Sequence, residues 1–74
     1  MNQEEIWAAQ LRESRIRFVA RVKEAMYITS PTKRMELYQK WRAEIGDIAA
    51  RETAKFTEAV RAGRVSLKKI EDMI

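Results

Sequence analysis

Hydrophobic residues in the first third of the chain recur at the spacing of one face of an α-helix. They lie four or seven positions apart, at Trp7, Leu11, Phe18, Val22 and Met26. Ser14 or Arg15 fills the gap in this stripe, and further apolar residues widen it. The pattern predicts an amphipathic first helix.

The ends of this helix follow from capping residues. Asn2 as N-cap with Glu5 three residues later matches a capping box, so the helix begins near Gln3. We expect it to end at about Tyr27, because proline disfavours helical backbone in the residue before it. Ser30 as N-cap and Pro31 as first helical residue predict the start of a second helix.

The second helix carries its own apolar positions at intervals of three or four residues. We expect Met35, Tyr38, Trp41 and Ile45 to face the core, with Leu37 beside them.

Gly46 follows, and two interpretations remain open. The helix could run through Gly46, because a mid-helix glycine costs only about 1 kcal/mol relative to alanine. Alternatively, Gly46 ends the second helix and Asp47 caps a third. We favour the break, since the Gly-Asp pair supplies both a stop and a start.

The last junction lies at Gly63, which matches the residue after a helix C-terminus. Ser66 is then the N-cap of a short final helix from Leu67 to Met73. The sequence therefore predicts a single all-α domain over 1–74, a small bundle of three to four helices with a long first helix.

The glycine between two helical segments raises the question of a DNA-reading helix-turn-helix. That motif requires a small residue four positions before the turn glycine, and apolar residues one, six and nine positions after it. These positions hold Arg42, Asp47, Glu52 and Lys55, which are all charged. We interpret Gly46 as a joint between packed helices.

Composition excludes several kinds of chemistry. The 74 residues contain no cysteine and no histidine, and no glycine-rich phosphate loop. The chain thus lacks thiolate ligands, the commonest general base and the commonest transition-metal ligand. We expect no enzymatic activity, no cofactor and no metal. The acidic start and the absence of a long apolar run predict a cytoplasmic protein without a membrane partner.

The formal net charge is +4, and basic residues are interspersed with acidic ones. Arg17 and Arg21 are four residues apart, hence on one helical face. Lys33 and Arg34 fall in the first turn of the second helix, where they oppose the helix dipole, and Lys40 follows. These side chains are candidates for phosphate or acidic-partner contacts, the alternative being an ordinary solvated surface.

Trp7 has two interpretations. Its place on the stripe predicts a core residue, because a small core depends on its largest side chains. If the first helix projects beyond shorter neighbours, Ile6, Trp7 and Leu11 would instead form an exposed anchor typical of interface hot spots.

The run YQKWRAEIGDIAARE, residues 38–52, occurs in a compact, cysteine-free helical chain. In this it resembles small, uncharacterised all-helical proteins encoded by bacteriophages. The resemblance implies a protein that binds a host nucleic-acid machine, such as RNA polymerase or a nuclease, and alters it.

The expected function is a protein-protein interaction module, a phage-type inhibitor or regulator of such a machine. Its partner-binding candidates are Trp7, Leu11, Arg17, Arg21, Lys33, Arg34 and Lys40. One alternative is non-specific nucleic-acid binding through the basic helix faces. Another is a structural homo-oligomer built on apolar surface of the first helix.

Overall fold

The computed structural model describes residues 2–72 and contains four α-helices. Their bounds are α1 Gln3–Met26, α2 Pro31–Ile45, α3 Asp47–Arg61 and α4 Leu67–Glu71. No strand occurs within these residues. The predicted all-α fold with a long first helix is confirmed, while the expected end of the last helix at Met73 lies outside the described residues.

The first two helices begin where their capping residues predict. The Asn2 side chain accepts a hydrogen bond from the backbone N–H of Glu5 at 2.8 Å. The Ser30 hydroxyl accepts one from the N–H of Lys33 at 3.3 Å, directly before Pro31 at the start of α2. Each cap satisfies a donor that has no partner within its helix.

The break at Gly46 is confirmed. Its φ of 87° and ψ of 163° place it in a backbone region that is essentially reserved for glycine. The predicted role of Asp47 is wrong: Gly46 itself is the N-cap residue of α3, and Asp47 is the first helical residue. The Asp47 carboxylate instead accepts a hydrogen bond from Nε of Arg42 at 3.1 Å, across the joint.

Gly63 closes α3 as predicted. Its φ is 74°, its N–H donates to the carbonyl of Val60 at 3.0 Å, and the N–H of Arg64 donates to that of Ala59 at 2.9 Å. This pair of bonds is a Schellman motif. Ser66 is the N-cap residue of α4, although within residues 2–72 its hydroxyl accepts no capping bond.

Two clusters of buried side chains hold the helices together. The first consists of Val19, Val22 and Leu67, and the second of Ala25, Trp41 and Ala50. The rings of Phe18 and Phe56 pack beside the first cluster with centroids 5.1 Å apart. The core therefore joins the C-terminal half of α1 to the other three helices.

Met35 does not join this core. Its side chain is 60 % exposed, so the prediction that it faces inward is wrong. It lies near the start of α2 and lines an open groove between α2 and α3. Helical geometry places Met35 about 120° around α2 from the fully buried Trp41, so its side chain points away from the core.

Candidate partner-binding surface

The N-terminal part of α1 extends beyond the rest of the fold. Helix α1 has 24 residues, whereas α2 and α3 have 15 each. Every residue from Gln3 to Arg17 is exposed. Within residues 2–72, this segment makes no hydrogen bond or ion pair to another helix. We call residues 3–17 the arm; at helical rise it is about 22 Å long.

Trp7 lies on the arm, so the prediction that it belongs to the core is wrong. Its side chain is 54 % exposed, and that of Leu11 is 58 % exposed. At about 100° per residue, both lie within roughly 20° of the direction of Phe18 around the helix axis. They continue the face of α1 that is buried further along the chain. The other helices are too short to cover it.

Two further apolar residues of the arm point elsewhere. Ile6 is 41 % exposed and Ile16 is 46 % exposed. Helical geometry places Ile6 about 100° from Trp7, and Ile16 about 140° from Leu11. The uncovered stripe on the core-facing side therefore consists of Trp7 and Leu11. Ile16 is an exposed apolar residue of the arm that lies outside this stripe.

Three of the predicted basic residues meet near the base of the arm. Arg17, Arg21 and Lys40 line a small cavity of about 240 Å³ whose apolar part includes Trp41. Arg21 and Lys40 share the carboxylate of Glu44, at 3.6 Å and 3.8 Å.

The two arginines of this group differ in solvent exposure and in their contacts within the fold. The Arg17 side chain is 63 % exposed. Its Nη1 lies 4.0 Å from Oε2 of Glu13, which makes a long, solvent-exposed and therefore weak ion pair. The Arg21 side chain is 22 % exposed, and its Nε is buried with no hydrogen-bond partner within the described chain. Of the two arginines, Arg17 is thus the more accessible to another molecule.

Lys33 and Arg34, although adjacent, have different surroundings. Lys33 is exposed and forms no ion pair within residues 2–72. The Arg34 side chain is only 12 % exposed. Its Nε donates to Glu58 at 3.3 Å, and its Nη1 donates to the carbonyl of Ile28 at 2.8 Å. Arg34 is therefore held mainly by contacts inside the fold and is little exposed to a partner.

Glu58 is the centre of this internal network. Besides Arg34, it accepts a hydrogen bond from the Tyr38 hydroxyl at 2.8 Å and lies 3.8 Å from Arg61. Arg61 also donates to the carbonyl of Met26, the last residue of α1, and to that of Ile28 in the connection to α2. Burial, together with the neighbouring Glu58 carboxylate, raises the pKa of Tyr38 to about 12.

Sequence reasoning missed a second basic surface, the open groove of about 1320 Å³ between α2 and α3. The basic side chains along it include Arg42, Arg51, Lys55 and Arg64. Its two acidic residues are already in ion pairs with arginines, so positive charge is in surplus. The four-residue spacing of Arg51 and Lys55 on α3 was the available signal.

Within residues 2–72, no group of three or more potential ligands could hold a metal ion. No helix in that range is both long and apolar enough to cross a membrane. Comparison with protein-family models, curated proteins and solved structures finds no match to this chain.

Proposed function

We propose that this protein is a non-enzymatic protein-binding module and that the arm of α1 is its docking element. The observation that supports this function best is the exposure of Trp7 and Leu11 on the core-facing side of α1. An exposed tryptophan beside an exposed leucine one turn away is the anchor pattern of a helix that binds in a groove.

The charges of the arm indicate the chemistry of the partner. Arg12 and Arg15 lie on one side of the Trp7 and Leu11 stripe, and Arg17 lies on the other. The protein target is therefore an apolar groove whose rim is acidic where it meets residues 12–17 and basic where it meets Glu4 and Glu5. Such rim contacts accelerate association and set specificity, while the buried anchors supply most of the affinity.

The resemblance to small bacteriophage proteins suggests the class of target, a component of a host nucleic-acid machine in the bacterial cytoplasm. RNA polymerase is the leading example, which makes a regulator of transcription the corresponding role. Whether the module inhibits or recruits the target depends on where the arm docks.

The test is affinity capture from bacterial lysate treated with nuclease, with wild-type protein and single variants as bait at low concentration. Trp7→Ala and Leu11→Ala should each reduce the captured target at least about tenfold, the effect of removing a hot-spot side chain. Ile16→Ala should capture as much as wild type. Equal capture by all three variants, or none by wild type, would overturn the proposal.

Direct nucleic-acid binding is a second candidate, favoured by the surplus positive charge of the α2–α3 groove. Of the five residues expected to contact phosphate, four already belong to ion pairs: Arg17, Arg21, Arg34 and Lys40. The candidate predicts retention that nuclease abolishes and that falls steeply with salt, through Arg51 and Arg64. Docking through apolar anchors predicts a much weaker dependence on salt.

A further inference from the structure

Four of the six charged side chains of the arm form an ordered pattern along one side of its apolar stripe. Glu4 and Glu5 lie in its first turn, and Arg12 and Arg15 follow about two turns later. None of the four forms an ion pair within residues 2–72. Helical geometry puts all four on the same flank of the stripe, within about 100° of one another.

When two copies of the arm lie side by side in opposite directions, this order of charges brings acidic residues of one copy next to basic residues of the other. In an antiparallel helix pair related by a two-fold axis, the same flank of each helix faces its copy. The acidic turn of one arm then lies along the basic segment of the other, and the reverse contact is identical. A parallel pair would instead place acidic turns beside acidic turns.

The apolar residues fit the same arrangement. An axis midway between Trp7 and Leu11 places Trp7 of one copy against Leu11 of the other. In that register Glu4, which borders the stripe, lies within one residue of the level of Arg15 of the other copy, which borders it on the same side. A single register thus packs Trp7 against Leu11 and also places opposite charges side by side.

The length of the arm permits this contact without collision. The arm spans residues 3–17, so its midpoint is close to the midpoint of the two anchors. Packing begins at Phe18, and the two helical bodies therefore lie at opposite ends of the paired arms. Each arm occupies the face that no helix of its partner covers.

We propose that a second copy of this chain covers the stripe, forming an antiparallel dimer through the arms. The dimer shares the Trp7 and Leu11 surface with the proposed function, while its register rests on Glu4, Glu5, Arg12 and Arg15. Because the paired area is small, the dimer forms at micromolar or higher concentration and competes with the docking of a target.

The test is sedimentation equilibrium on the whole chain from about 1 µM to 1 mM, a range that spans weak association. Wild type should pass from one chain to two. Leu11→Ala should weaken the dimer at least about tenfold, whereas the matched Ile16→Ala should leave it unchanged. Circular dichroism checks that each variant keeps its helices.

Charge reversal tests the register. Arg12→Glu with Arg15→Glu, and separately Glu4→Lys with Glu5→Lys, should each weaken the dimer about tenfold or more by setting like charges side by side. All four changes together restore both the pairing and the wild-type net charge. That variant should dimerise within a few-fold of wild type.

A wild-type protein that stays a single chain throughout this range would overturn the proposal, as would a dimer that Leu11→Ala leaves intact. Failure of the fourfold variant to recover would overturn the antiparallel register. These outcomes are independent of target capture, which is measured at bait concentrations where the arm is unpaired. The dimer and the proposed function can therefore fail separately.

Discussion

Gly46 and Gly63 both have positive φ, but they make different demands on the backbone. At Gly46 the combination of φ 87° with ψ 163° belongs to a region that other residues almost never adopt. Gly63 closes a Schellman motif in the left-handed helical region, which asparagine and aspartate can also enter. At neither position would an added Cβ meet another atom within 4 Å. Any difference in stability between an alanine at Gly46 and an alanine at Gly63 should therefore come from backbone strain alone.

We expect Gly46→Ala to lower the free energy of unfolding by about 1–3 kcal/mol. Gly63→Ala should cost about 1 kcal/mol, because left-handed helical backbone is only mildly unfavourable for alanine. Urea denaturation of both variants measures the difference. A smaller loss for Gly46→Ala than for Gly63→Ala would contradict the backbone angles at the joint.

Tyr38 should make stability depend on pH at the alkaline end. Its pKa rises from an ordinary 10.0 to about 12 in the folded chain, so folding favours the protonated hydroxyl. This contribution is complete below pH 10 and is lost as the pH rises through about 12. We expect Tyr38→Phe to reduce the fall in unfolding free energy between about pH 8 and pH 11. Tyr27→Phe is the control, because Tyr27 is 77 % exposed.

At the scale of the element, α1 is one continuous helix with two different environments. The stretch from Phe18 onward packs against the other helices, and the arm before it does not. Helix propensity and capping explain why α1 forms along its full length. They do not determine how much of it is covered, which depends on the lengths of its neighbours.

Two substitutions on the same helix should therefore have opposite outcomes. Val22→Ala removes methyl groups from a fully buried site and should cost about 2 kcal/mol of unfolding free energy. Leu11→Ala should change it by less than about 0.5 kcal/mol, because the side chain is exposed. Thermal or urea denaturation of dilute, monomeric protein measures both. A large loss for Leu11→Ala would mean that the arm folds back onto the core.

The same distinction explains what could be predicted from sequence. Capping residues and glycines depend on a few neighbours in the chain, so Asn2, Ser30, Gly46 and Gly63 gave helix boundaries close to those observed. Burial depends on distant residues, which is why the core prediction failed at Trp7 and Met35. The hydrogen bond from Arg34 to Glu58 joins residues 24 positions apart, so no local sequence pattern could have predicted it.

At the scale of the whole molecule, the fold is elongated, with extents of 45 × 27 × 16 Å. An uncovered helix of about 15 residues is marginally stable in water. We expect the amides of the arm to exchange with solvent at least about a hundredfold faster than those of residues 19–26, which open only with the core. Hydrogen exchange on dilute protein, resolved by residue, measures this ratio. Uniform protection along α1 would contradict it.

The two tryptophans of the chain lie in opposite surroundings, Trp41 at 1 % exposure in the core and Trp7 at 54 % on the arm. Indole fluorescence reports how much water surrounds the ring. With Trp7 replaced by phenylalanine, emission follows the unfolding of the core through Trp41. With Trp41 replaced instead, it follows the covering of the arm. The protein thus contains two optical probes, one for its stability and one for its encounters.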